Sequence, residues 1–239
     1  IPLNNRGMLL RVYTDEGLIG YGSPMNYEHG RTVAQAISDM SDYLIGRDPL
    51  QIEDHWQTLF RSSYSRQMPI LLSALSGIEI ACWDIFGKSL GIPIWKLLGG
   101  SVRARLRVYG SVGGSTDEEA IYQASERIQE GFTAIKTTPF PTPVRPIETP
   151  SGIDKVINRV GSIRESIGNE VDLAVDFHRC TTPAFAKILL RELEPFRPLF
   201  IEEPTKAIPD NVGPLRELSL STSVPLATGE RCTTRWGFR

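Results

Sequence analysis

The sequence predicts an α/β protein, and three observations predict it. A hairpin and a set of apolar helices occupy residues 1–103. Over 104–239, short apolar runs alternate with helical stretches to make five βα units. Those runs are apolar almost throughout, which is the pattern of strands buried on both faces of a parallel sheet. Two domains, 1–103 and 104–239, are therefore expected.

In the first domain, Met8 to Tyr13 alternates apolar and polar residues as a half-buried strand does. Asp15-Glu-Gly17 reads as a turn and Leu18 to Tyr21 as the returning strand. Thr32 to Tyr43 and Ile52 to Arg61 have helical spacing. Pro69 to Ser89 is small and apolar nearly all round, so it reads as a buried helix. Leu90-Gly-Ile-Pro93 stops it, and Ile94 to Leu98 forms one more short helix closed by Gly99-Gly100.

In the second domain the expected strands are Leu106–Ser111, Thr133–Thr137, Val171–Phe177, Leu199–Glu202 and Pro225–Thr228. The expected helices are Asp117–Glu130, Ile153–Ile167, Pro183–Leu193 and Val212–Leu220, with another opening at Thr233. A sheet of this kind is either open or a barrel. The spacing is that of a (β/α)8 barrel, which needs about 250 residues when complete, so a barrel would lack three strands. Pro139 to Pro150 is too rich in proline for helix and is expected to be a stiff loop at the strand ends. The chain begins without Met and stops where a helix opens, which reads as a piece of a longer protein.

Composition narrows the function. Twenty-six basic against 28 acidic residues give a net charge of −2, so nothing favours a nucleic-acid partner. No apolar run approaches the roughly 20 residues that span a bilayer, so no membrane partner is expected. The N-terminus lacks a signal-peptide pattern. Cys82, Cys180 and Cys232 lie far apart with no metal-binding spacing, as suits a reducing cytoplasm. No glycine-rich phosphate loop follows any strand.

Acidic residues do recur at strand ends. Asp176, Glu202 and Glu230 each close an apolar run, about one βα unit apart. Three carboxylates converging from successive strands repel one another unless a cation joins them. A hard divalent ion with oxygen ligands resolves this, and Mg²⁺ is the natural choice because it keeps positions open for substrate. His178 lies two residues past Asp176, on the same side if the strand continues, and would serve as general acid or base. Lys136 ends the second strand of the domain and would hold an anionic group or stabilise an oxyanion. Glu203 is expected to face away in a structural role, and Arg231 to pair with a neighbouring carboxylate. His55 reads as structural, His29 carries no assignment, and Cys180 lacks the orienting partners of a nucleophile.

These residues resemble the enolase superfamily, in its mandelate racemase subgroup. Within it they are most similar to sugar-acid dehydratases of the D-galactonate dehydratase type. The matching segments are Gly17-Leu-Ile-Gly-Tyr-Gly22, Ser76 through Pro93, Leu97-Leu-Gly-Gly100, Asp176-Phe-His178, Phe200-Ile-Glu-Glu-Pro204 and Thr228-Gly-Glu-Arg231. The resemblance implies an α+β capping domain followed by a modified TIM (β/α) barrel, of which about five βα units are present. It implies Mg²⁺ on Asp176, Glu202 and Glu230, with His178 as general acid and Lys136 beside the substrate. It also implies a lyase that removes the proton α to a carboxylate and expels the 3-hydroxyl, leaving a 2-keto-3-deoxy sugar acid. A cytoplasmic homo-oligomer acting on a small carboxylate is expected of the full-length protein.

Departures from the pattern matter. Lys136-Thr137-Thr138 lacks the second lysine that racemases of the subgroup use as a base, which favours dehydration. Arg179-Cys180 stands where Gly-Arg is usual, and Thr138 where Asn is common. A longer interval before Glu230 places an insertion around Pro209 to Pro214. The family base lies on a later strand, so these 239 residues alone are expected not to catalyse. The alternatives are a racemase or epimerase of a 2-hydroxy acid on the same scaffold, or a non-catalytic Mg²⁺-binding paralogue.

Overall fold

The computed structural model describes residues 2–4, 7–24, 29–62, 64, 69–140, 148–206 and 212–239. The chain forms two compact units, Ile1–Arg105 and Leu106–Arg239.

In the first unit, β1 (Pro2–Asn4) pairs antiparallel with β2 (Gly7–Met8), and β3 (Leu10–Tyr13) with β4 (Ile19–Gly22). The expected hairpin is thus present, with its first strand interrupted at Leu9. Its turn is closed by Thr14, whose Oγ1 accepts from Leu18 N at 3.0 Å. Gly17 supplies the left-handed residue at φ +82°. Four helices follow: α1 (Gly30–Leu44), α2 (Ile52–Arg61), α3 (Pro69–Leu90) and α4 (Ile94–Leu97).

α3 is the centre of this unit. Leu72, Leu75, Ile78 and Cys82 pack with Leu59 of α2, while Ala74 packs with Val33 and Ala36 of α1. β4 lies directly on the backbone of α3. A Cβ on Gly20 would fall on the carbonyl oxygen of Ala81, and one on Gly22 on that of Gly77. Two side chains fasten the contact: Asp84 Oδ2 accepts from Tyr21 N at 2.8 Å, and Lys88 Nζ donates to Ile19 O at 2.7 Å. By length and composition α3 is long and apolar enough to cross a membrane: it has 22 residues and an 18-residue window of mean hydropathy 1.6, half of which is buried. That corrects the expectation that no apolar run reaches such a length. Asp84 and Lys88 bond β4, and the buried apolar side chains named above pack on α1 and α2. His55 is buried, with Nε2 2.8 Å from Asp48 O and Nδ1 3.3 Å from the Tyr43 hydroxyl.

The second unit holds a five-stranded parallel sheet in chain order. Its strands are β5 (Gly110–Val112), β6 (Ala134–Thr137), β7 (Asp172–Asp176), β8 (Ile201–Glu202) and β9 (Leu226–Ala227). The connecting helices are α5 (Asp117–Gln129), α6 (Pro150–Ile167), α7 (Pro183–Leu193) and α8 (Gly213–Ser219). Among the described residues β5 and β9 are edges, so the sheet is open. Three of the helices start on threonine caps. Thr116, Thr149 and Thr182 accept from Glu119 N, Gly152 N and Phe185 N, and proline follows the last two at the first helical position.

Two expected elements differ. Leu106, Val108 and Tyr109 are exposed and unpaired, because β6 lies opposite only Gly110 to Val112. The helix expected at Thr233 is a pair of tight turns, with Gly237 N bonding Thr234 O at 3.0 Å and Arg239 N bonding Trp236 O at 3.3 Å. Isolated turns of this kind do not offset the cost of helix nucleation.

The core joins sheet and helices through Ile135, Leu173, Val175, Phe177, Leu189, Leu190, Leu193 and Ile201, all fully buried. Leu189→Ala should cost about 2–5 kcal/mol of stability. Urea denaturation checks this, and a loss below about 1 kcal/mol would mean that the site collapses onto the cavity.

Candidate metal and catalytic site at the strand ends

The register of the sheet builds the site. Side-by-side residues in a parallel pair point to the same face, and residues two apart on one strand do too. Lys136 pairs with Ala174, two residues before Asp176, and Asp176 pairs with Glu202. Lys136, Asp176 and Glu202 therefore share a face. The small side chain of Ala174 leaves room for the lysine stem to run toward the strand ends. Lys136 Nζ donates to Asp176 Oδ2 at 3.1 Å and to Glu202 Oε2 at 2.6 Å. Its charge also lies 5.3 Å from the centre of the Tyr109 ring. Burial disfavours the ammonium, but the hydrogen bonds to Glu202 and Asp176 outweigh it, and the lysine pKa is raised.

Asp176 is only 2% exposed. Its Oδ1 accepts from His178 N at 2.8 Å, an Asx turn that ends the strand. Here the structure departs from the sequence argument. His178 does not continue β7; it and Arg179 take left-handed backbone, at φ +48° and +62°. The turn brings the imidazole back over Asp176, with Nε2 3.3 Å from Oδ2. Thr138 Oγ1 lies 3.4 Å from Nδ1 on the other side. The ring is 45% exposed and open to a substrate.

Glu203, also left-handed at φ +45°, faces inward and is 2% exposed. Its Oε1 accepts from Thr228 Oγ1 at 2.9 Å and Gly229 N at 3.0 Å, which fixes the turn that presents Glu230. The carbonyl of Glu203 accepts from Arg179 N at 2.9 Å. The carboxylate-pairing role expected of Arg231 is performed by Arg179, whose Nη1 contacts Glu230 Oε1. Cys180 Sγ donates to His178 O at 3.2 Å, and burial pushes its thiol pKa up, so it is not poised as a nucleophile. His29 is exposed at the start of α1.

The structure thus brings Lys136, Asp176, His178 and Glu202 into one chain of contacts, with Lys136 on Asp176 and Glu202 and His178 on Asp176. Glu230 stands apart from them on Arg179. Among the described residues no three His, Cys, Asp or Glu side chains form a ready metal-binding group. The donor chemistry nonetheless suits a hard cation. The carboxylates are oxygen donors at successive strand ends, and one positive charge already bridges two of them. The proline-rich loop falls mostly on 141–147, outside the described residues, and the expected insertion falls partly on 207–211, also outside them. At the near end of that loop, Glu148 clamps the start of α7, accepting from Thr182 N at 2.6 Å and Thr182 Oγ1 at 2.8 Å.

Comparison with known proteins places this arrangement. The model of enolase C-terminal domain-like proteins matches residues 119–239. That of the mandelate racemase / muconate lactonizing enzyme N-terminal domain matches 4–99. The chain belongs to the enolase superfamily. Its N-terminal unit is the capping domain of that superfamily, and its parallel sheet is part of the enolase-like domain. D-galactonate dehydratase of Klebsiella pneumoniae (strain 342) is 42% identical over 234 residues, 98% of this chain and 60% of that protein. A solved enolase-superfamily member from Salmonella Typhimurium superposes with a TM-score of 0.89 at 28% identity, over 98% of this chain and 66% of that one. An enolase from Pantoea ananatis, solved with D-gluconate and Mg bound, gives 0.84 at 28% identity, over 95% and 62%. This enolase-superfamily chain spans about 60% of the length of the curated relatives it matches.

Proposed function

We propose that the whole protein is a Mg²⁺-dependent sugar-acid dehydratase that acts on an aldonate such as galactonate or gluconate. The observation that carries the reading is His178, held over Asp176 and against Thr138 beside the Lys136–Asp176–Glu202 cluster. The dehydratase relatives and the gluconate-bound neighbour support it. Thr138, standing where a racemase would carry its second lysine, orients the His178 ring and offers no base.

Asp176, Glu202 and Glu230 would hold the ion. When bound, Mg²⁺ supplies electrophilic stabilisation to the substrate carboxylate. Lys136, kept cationic by its two carboxylates, adds a second positive charge where negative charge develops after C2 loses its proton. The base for that proton is expected from residues outside this chain. The His178 imidazolium then gives a proton to the 3-hydroxyl. The C3–O bond breaks, water leaves, and the C2–C3 double bond forms an enol that becomes the 2-keto acid. Asp176 and Thr138 keep the ring in the orientation that this transfer needs. The same proposal covers domains at 1–103 and 104–239 and a cytoplasmic homo-oligomer. Free cysteines at 82, 180 and 232 agree with a reducing compartment.

The test uses the whole protein with galactonate and gluconate in deuterated water. The wild type should release a 2-keto-3-deoxy acid. His178→Asn should lose about 10²–10⁴-fold in that release while retaining C2 deuterium exchange. A whole protein that exchanges C2 but never eliminates water would instead be a racemase or epimerase. One that binds the sugar acid and does neither would be a non-catalytic relative.

A further inference from the structure

Arg179 sits in a conformation that most side chains avoid. Its φ is +62°, directly after His178 at +48°. Non-glycine residues hold such backbone only where their surroundings enforce it, and such outliers gather at functional sites. Two contacts enforce it here. The Arg179 N–H donates to Glu203 O at 2.9 Å, and the guanidinium reaches Glu230. Nη1 is screened from solvent and has no hydrogen-bond partner beyond the ion contact with Glu230 Oε1. The Arg179 side chain is 26% exposed and that of Glu230 40%, so the pair is half-desolvated. Glu230 is itself delivered by the turn that Glu203 fastens.

The charges at the strand ends therefore divide in two. Lys136 bridges Asp176 and Glu202 with a single positive charge, while Arg179 pairs with Glu230. A divalent ion that uses all three carboxylates has to compete for Glu230 with a guanidinium already on its Oε1.

We propose that Arg179 is a built-in competitor for the divalent cation at Glu230, so that metal binding displaces the guanidinium and is weakened by it. The proposal rests on the metal reading given above. It predicts that this chain holds Mg²⁺ more loosely than its three carboxylates alone would, and that removing the Arg179 charge tightens binding.

The experiment is Mg²⁺ titration calorimetry on the whole protein without substrate. Wild type is compared with Arg179→Gly and Arg179→Gln, each also in a Glu230→Gln background. Glycine removes both the charge and the left-handed strain, so it should fold at least as well; glutamine removes the charge alone. Both variants should bind Mg²⁺ about tenfold more tightly, which corresponds to about 1.4 kcal/mol. The gain should vanish in the Glu230→Gln background, as coupling between two groups in contact requires. Equal affinity in wild type and Arg179→Gln overturns the proposal while leaving the metal reading intact. A gain in Arg179→Gly alone also overturns it, because strain relief would be the cause. No binding in any of the proteins overturns the metal reading and this proposal together.

Discussion

Asp176→Asn in the whole protein should lower kcat/KM for dehydration by at least about 10³-fold, roughly 4 kcal/mol of transition-state stabilisation. The substitution nearly preserves shape and keeps an oxygen that can accept from His178 N. What it removes is charge. Asp176 is the most buried of the three strand-end carboxylates, and its Oδ2 faces both Lys136 and His178. On the proposed metal reading a divalent ion would lose a charged ligand, and the lysine keeps only Glu202 as an anionic partner. Mg²⁺ affinity should fall together with the rate. Parallel kinetics and calorimetry check this, and a variant that stays within tenfold of wild type in both would remove Asp176 from the metal site.

The second large effect lies in the capping domain. Gly22→Ala should destabilise it by about 3 kcal/mol or more, the upper range for overpacking. The new Cβ would land on the carbonyl of Gly77, a backbone atom inside α3 that cannot rotate away as a side chain could. β4 would have to lift from the helix, breaking the Tyr21–Asp84 and Lys88–Ile19 hydrogen bonds. Gly46→Ala is the control. Gly46 has φ +79° and open space around its Cβ position, so only the local backbone cost of about 1 kcal/mol applies. Thermal unfolding followed through Trp56 and Trp83 should separate the two. Equal losses would show that β4 does not need its close approach to α3.

Much of this was legible in the sequence, for local reasons. The buried helix over 69–89 and the hairpin closed at Gly17 follow from periodicity and turn residues, whereas α6 starts at Pro150, three residues before the expected Ile153, because Thr149 caps it. The apolar runs marked all five parallel strands, and the acids that close them marked the rim of the site. The first strand of the second unit was read too early, because Leu106 to Tyr109 are apolar enough for a strand but have no neighbour to pair with. Apolar character shows that a segment can be buried, and only the partner decides whether it is.

The site divides in the same way. Residue type and strand-end position marked Lys136, Asp176, His178, Glu202 and Glu230 without a structure. Their contacts could not be read from position. Strand alternation suggested that His178 would lie near Asp176, but an Asx turn and two left-handed residues actually place it there. Arg179, not Arg231, meets Glu230, because the turn after β7 and the turn after β9 are both fastened to Glu203. The sequence by itself determined most of the elements, the fold family and the chemical types at the strand ends, since these depend mainly on neighbours along the chain. Only the tertiary structure decided which charges meet, because ion pairing is set by the relative height of loops from different strands, which no local pattern encodes.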